Sequence, residues 1–195
     1  MKRFALLTGI LALAAPLALA QTSAPTSTWT PDPAHSAVNF SILHMSLSNV
    51  RGHFGTVSGK IVLDPSDITK STVDITVDVT GVDTGNSMRD SDLKSPNFFD
   101  VSKFPSATFV STSVARAPGG LTVDGNLTLH GVTKPVVLHV DGPTGPVQGM
   151  DKKPHEGFSA TATLDRTAFG IAAGYPDKIV GDTVKLTIDL DIAKQ

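Results

Sequence analysis

Six histidines, His35, His44, His53, His130, His139 and His155, are the side chains through which this sequence could move protons or hold a metal ion. None of them forms His-x-His on a strand or His-x-x-x-His on a helix, the spacings that bring two imidazoles onto one face. His44 and His53 could meet across a turn, and His130 and His139 across a hairpin, but no carboxylate is placed beside either pair by spacing. No metal site is therefore expected, and His35 and His44 read as hydrogen-bonding groups at strand ends. The absence of cysteine excludes thiolate catalysis and Cys-zinc sites. Serines are plentiful, yet none lies in a Gly-x-Ser-x-Gly elbow, and Pro118-Gly119-Gly120 is a hairpin turn rather than a phosphate loop. Asp74 and Asp78 fall on the polar face of one strand and make no glycosidase pair. No catalysis and no cofactor are expected. The remaining charged constellation, Arg89, Asp90 and Lys94, falls on a short helical stretch.

The elements that must position these groups are strands. Val73, Ile75, Val77 and Val79 alternate with Thr72, Asp74, Thr76, Asp78 and Thr80, a period of two that gives one dry and one wet face. Val184, Leu186, Ile188, Leu190 and Ile192 alternate with Lys185, Thr187, Asp189 and Asp191 in the same way. Further strands are predicted near 36–44, 49–63, 105–116, 120–130, 134–142 and 156–165. Turn-forming groups separate most of them: Asp64-Pro65-Ser66, His130-Gly131-Val132, and the run from Gly142-Pro143 to Gly149. Short helical pieces are expected at about 65–70 and 86–95. Eight antiparallel strands with one dry face each can close into a barrel, which also removes exposed edges. A two-sheet sandwich is the alternative.

The N-terminus belongs to another process. Lys2 and Arg3 precede an apolar stretch ending in Ala18-Leu19-Ala20, the pattern of a cleavable signal peptide over residues 1–20. Residues 21–28 read as a flexible lead-in, and 29–192 as one domain. Loss of Lys2 and Arg3 takes the formal charge from −2 to −4. No basic stripe remains, which excludes nucleic acid as the expected partner. Nothing after the signal is apolar for long enough to span a bilayer, so a chain free in the periplasm is expected, secretion being the other outcome. A homodimer is compatible with the sequence.

The dry faces are uneven in size. Phe40, Ile42 and Leu127 are bulky, whereas Gly59, Gly125, Ala160 and Ala162 share those registers. The small residues either leave an elongated void for a guest or mark bends needed for closure. Phe98, Phe99, Phe104 and Phe109 either line such a void or plug one end of it, and Arg89, Asp90 and Lys94 either guard its mouth or lie on a solvated helix. Arg166, followed by Phe169-Gly170, reads as a buried arginine tying down a loop that turns at the glycine. A dry void selects by apolar area: ten buried methylenes contribute about 8 kcal/mol before ordering costs.

Several blocks resemble the YceI-like family of bacterial lipid- or polyisoprenoid-binding proteins. They are Trp29-Thr-Pro-Asp32-Pro-Ala-His35-Ser36 with Phe40, His44 and Ser48-Asn-Val-Arg-Gly-His-Phe54; Asp83-Thr-Gly-Asn86 with Arg89-Asp90, Leu93-Lys94-Ser95, Phe98-Phe99-Asp100-Val101, Lys103-Phe104-Pro105 and Thr108-Phe109; Gly125-Asn-Leu-Thr-Leu-His-Gly-Val-Thr-Lys-Pro-Val136; and Leu164-Asp-Arg166, Phe169-Gly-Ile171 and Val180-Gly-Asp182. They stand in the family's order over 29–192. The resemblance implies an extended, eight-stranded, lipocalin-like antiparallel barrel with an apolar tunnel, an isoprenoid-type ligand such as a polyprenyl chain or quinone tail, and a periplasmic location. From the dry faces and the family blocks together, the candidate lipid-binding residues are Phe40, Ile42, Gly59, Phe98, Phe99, Phe104, Phe109, Gly125, Leu127, Ala160, Ala162 and Phe169, with Arg89, Asp90 and Lys94 at the mouth. Asp92 departs from the family, which often has His in the Arg-Asp-x-His-Leu pattern.

Overall fold

A computed structural model describes residues 25–195; the signal-peptide expectation lies outside the described residues. Ten antiparallel strands account for most of it: β1 Ser27–Pro31, β2 Ala37–His44, β3 Ser48–His53, β4 Val57–Leu63, β5 Thr72–Asp78, β6 Ser106–Ala117, β7 Gly120–Leu129, β8 Val132–Gln148, β9 Pro154–Asp165 and β10 Val180–Lys194. Eight of them, β1 and β4 to β10, form a closed ring, because β10 pairs with β1 as well as with β9. The last strand makes this possible by its length. Its C-terminal end joins β1 (Trp29 opposite Lys194), while its N-terminal two-thirds pairs with β2 (Ile188 opposite Val38), which carries β3 as a flap. The barrel is thus closed all round at one end and flanked by the β2–β3 hairpin at the other.

Three boundaries differ from the sequence expectation, and one element is added. The lead-in loses Ser27 and Thr28 to β1, where they pair with Leu63 and Val62. The span 49–63 is two strands, since the chain turns at Phe54-Gly55-Thr56 to leave β2 and join β5. The Gly142–Gly149 run does not end β8. The strand passes through it with register shifts at Asp141/Thr144 and Thr144/Val147, the glycines taking φ of +122° and +141°, so glycine and proline here make bulges rather than a turn. A 3-10 turn at Arg166–Phe169 is an addition. The helical pieces appear as a 3-10 turn at Ile68–Lys70 and a helix, α1, at Ser87–Lys94, which Asn86 caps by accepting from the Arg89 N–H. No helix among the described residues is long and apolar enough to cross a membrane.

The dry faces divide into two packed groups. One, near the closed end, holds Trp29, Val38, Val57, Ile61, Leu63, Ile75 and Ile192, the last with no exposed surface. The other runs through Val79, Ala107, Phe109, Leu129, Val136, Ala162, Leu164 and Phe169. Arg166 anchors the long connection into β10. Its buried guanidinium donates to the carbonyls of Ile171, Ala172, Tyr175, Val180 and Gly181 and to Asp182 Oδ1, at 2.6–3.0 Å. The loop turns at Gly170 with φ +71°, as the sequence predicts.

Candidate functional site

Alternation in strands of unequal bulk leaves the barrel hollow. Inward side chains from β2 and from β5 to β10, among them Phe109, Leu127, Leu129, Val136, Leu138 and Leu164, ring a cavity of about 550 Å³. The wall on the β10 side is Val184, Leu186, Ile188 and Leu190, and the opposite wall is Val73, Ile75, Val77 and Val79. All are aliphatic, so the interior offers dispersion contacts and almost no hydrogen bonds. If each chain carbon takes the ~30 Å³ that a water occupies in the liquid, the space suits a chain of roughly 18 carbons.

The mouth is marked by the cavity-lining residues that remain exposed. These are Leu43 at 40%, Met88 at 80%, Tyr175 at 38% and Ile179 at 36%. They come from three elements: the end of β2, helix α1 and the loop held by Arg166. Met45 N–H donates to the Ile179 carbonyl at 2.9 Å, which joins the β2–β3 turn to that loop. Polar groups reach the cavity only here, as His44, Arg89, Asp92 and the buried Arg166. Arg89 Nε donates to Thr84 Oγ1 at 2.7 Å and its terminal nitrogen to the Thr84 carbonyl at 3.0 Å. A line of aromatics runs inward, with Phe40 on Phe54 at 5.2 Å, Phe54 on Phe99 at 5.6 Å, and Phe98 against Tyr175 at 5.4 Å between ring centres.

Of the residues expected from the sequence, Phe40, Ile42, Phe98, Phe99, Phe109, Leu127, Phe169 and Arg89 line the cavity. The others do not. Gly59 has φ +129°, and a Cβ there would sit 2.2 Å from the Asp74 carbonyl oxygen, so it is a bend in β4. Gly125 is covered by Phe109, whose Cζ lies 2.3 Å from where a Cβ would stand. Ala160 and Ala162 pair in register with Ile188 and Leu186, so they share the inward face of the sheet, and they are buried beside those larger side chains without lining the cavity. Phe104 packs edge-on against His130 at 4.8 Å. Asp90 accepts from the Thr84 N–H and hydroxyl at 2.9 and 2.6 Å, bracing α1 against its own lead-in, and those donors hold its carboxyl below the usual range. Lys94 sits in the last turn of α1, away from the cavity. The sequence reading missed Phe54, the aliphatic walls of β5 and β10, and Tyr175. The two alternating strands were themselves the available signal for the walls.

The histidine pairings suggested by spacing do not form. In register His53 faces Asn39 and His44 faces Ser48, while His139 faces Thr122. His130 Nδ1 instead meets the Phe169 carbonyl at 3.1 Å, and His35 Nδ1 meets Asp32 Oδ2 at 3.0 Å, in the strand-end role expected of it. Among the described residues that line the cavity, the histidine and charged side chains are His44, Arg89, Asp92 and Arg166, with no serine, threonine or lysine beside them.

Residues 29–192 match the YceI-like domain. A UPF0312 protein of Vibrio cholerae is 37% identical over 149 residues, covering 74% of this chain and 78% of its own; another from Shewanella baltica is 37% identical over 139 residues, covering 71% and 72%. The crystal structure of the Campylobacter jejuni YCEI protein superposes with a TM-score of 0.70 at 29% identity, over 78% of this chain and 90% of that one. BcnA of Burkholderia cenocepacia superposes at 0.69 and 27% identity, over 83% and 98%. A polyisoprenoid binding domain from Saccharophagus degradans shares the fold, at 0.62 and 15% identity over 86% and 98%. With a domain match over nearly all of the described residues, this chain belongs to the YceI-like family.

Proposed function

We infer that this protein is a non-catalytic carrier or sensor of a slender apolar lipid of the isoprenoid type, a polyprenyl chain or quinone tail, held in the barrel. The observation that carries the reading is the cavity of about 550 Å³, walled by aliphatic and aromatic side chains, with polar groups only at its mouth. A hydrocarbon chain gains about 0.8 kcal/mol for each methylene it buries there, and a polar end group stays near Arg89 and His44. The ligand named for the Saccharophagus degradans domain of the same fold is consistent with this. The open interior tells against an inert module with a filled barrel. The basic and apolar N-terminal residues point to export, and the periplasm is the compartment in which such a carrier would work.

Organic extraction of the purified chain followed by mass spectrometry tests the reading. An isoprenoid chain recovered near one equivalent, or taken up from added polyprenol or quinone, is the expected result. Repeated failure of both sinks it. Turnover of the bound lipid, lost in His44→Ala, would replace it with an enzyme.

A further inference from the structure

At the end of the barrel remote from the mouth, the β1–β2 turn, the end of β10 and the β8–β9 turn bring together side chains that lie far apart in the sequence. The ligand atoms of Asp32, His35 and Asp191 all lie within 4.8 Å of one another. His155 stands beside them, with Nδ1 on Asp191 Oδ1 at 2.5 Å and Nε2 on Asp151 Oδ1 at 3.1 Å. The geometry points to a divalent transition-metal site here, built on His35, Asp32 and Asp191, with His155 positioning the Asp191 carboxylate.

Three features support it. The donor set is one imidazole and two carboxylates on neighbouring segments, which suits Zn²⁺ or Cu²⁺ and not an all-oxygen cation. The carboxylates of Asp32, Asp151 and Asp191 have no lysine or arginine partner among the described residues; histidine is the only ion-pair partner of each. A divalent ion would supply the missing positive charge. Finally, the frame is fixed apart from one ring. Asp191 is clamped through its backbone by Ser36, which donates to its carbonyl at 3.0 Å and accepts from its N–H at 3.2 Å, and by the Asp32 N–H, which donates to the same carbonyl at 2.7 Å. Asp32 Oδ1 accepts from the Ala34 N–H, leaving Oδ2 toward His35. Gly149 backs onto His155 and Asp151 so closely that a Cβ would stand 2.6 and 2.7 Å from their polar atoms. The His35 side chain is 69% exposed and is the part free to turn. A metal held at ~2.1 Å by each ligand needs donor atoms about 3.4 Å apart, and rotation of that ring closes the difference.

The site is independent of the cavity, since its donors lie on the outer face beyond Leu190. Zn²⁺ titrated into the full chain without an affinity tag, against a chromophoric chelator, tests it. One equivalent is expected to bind, with His35→Ala and Asp191→Asn each weakening it at least a hundredfold, His155→Ala about 10–100-fold as outer partners do, and the exposed His139→Ala leaving it unchanged. Imidazole ¹H–¹⁵N resonances of His35 should shift on Zn²⁺ addition. Should Asp191→Asn unfold, His35→Ala and the resonances still decide. Absence of a stoichiometric ion at micromolar Zn²⁺, equal affinity in His35→Ala and the parent, or shifts confined to other histidines would overturn the assignment.

Discussion

Gly125→Leu should close about a fifth of the cavity without touching it directly. Gly125 lies on β7 under the ring of Phe109, and even a single Cβ would come within 2.3 Å of Cζ and 2.6 Å of Cε2. Both are far inside ordinary contact, and the ring has one free direction, into the cavity that it already lines. A leucine adds four carbons. At about 30 Å³ each they displace roughly 120 Å³, about a fifth of the 550 Å³ available. Four fewer buried methylenes amount to about 3 kcal/mol, on the order of a hundredfold in Kd for a chain that fills the barrel. Competition between a polyprenol and a fluorescent apolar probe would measure this. Overpacking costs about 1–3 kcal/mol of stability, so unfolding is followed in parallel through Trp29, the sole tryptophan, which is buried. Adding Phe109→Ala vacates the space under dispute and should restore most of the affinity. Undiminished binding in a folded Gly125→Leu protein would refute the placement of the ring as a movable wall. Failure of the double variant to recover would show that the loss came from the barrel as a whole.

Arg166→Met should lower stability by about 3–5 kcal/mol, since it strands several buried carbonyls at once; hydrogen exchange should quicken first in residues 171–182, and protection there equal to the parent would contradict the anchoring role. Arg89→Ala should leave the affinity for a bare hydrocarbon chain within about twofold while weakening ligands with an anionic end group, a split readable by comparing a polyprenol with its phosphate. Stability should also fall in acid. The Lys103 ammonium and Ser102 hydroxyl hold the buried Asp100 carboxyl below its usual range, as Ser66 does for Asp64 and Thr167 for Asp165. Carboxyls depressed in the folded state stabilise it above the ordinary value of about 3.9 and lose that contribution as pH falls through their lowered values. The urea midpoint should therefore drop from about pH 4 downward and less steeply in Asp100→Asn; an equal slope in both would exclude Asp100 as a contributor.

What was legible in the sequence follows from how local each signal is. The β5 and β10 strands declare themselves because alternation within one segment is enough to fix a buried face. The loop at Gly170 was readable for the same reason, through an arginine and a glycine a few residues apart. Other features depend on partners far along the chain. That β10 serves both β1 and β2 cannot be read from β10, nor can the split at Phe54–Thr56, where hydrophobic alternation gives no hint that the partner strand changes. Gly125 and Gly59 look alike as letters. One is a hole filled by Phe109 and the other a bend against the Asp74 carbonyl, and only the third dimension separates them. The histidines show the limit most plainly. Spacing offered His44 with His53 and His130 with His139, whereas the fold sets His35 and His155 around Asp191, from segments more than a hundred residues apart.

Strand β10 ties the two ends of the molecule together physically. Its inward residues from Val184 to Leu190 form one wall of the cavity, and the next inward residue, Ile192, is wholly buried at the closed end. Asp191, between those last two, must point outward by the period of the strand, which carries its carboxylate to the outer rim where His155 meets it. The same fifteen-residue strand begins at Val180, whose carbonyl accepts from Arg166 beside the mouth. Because alternate residues face opposite ways, the wall can be entirely apolar while the outer face of the same strand carries Lys185, Asp189 and Asp191. An apolar interior and a charged end are therefore not competing demands on this chain. They are the two faces of one strand, and substitutions on either face should act on one without disturbing the other.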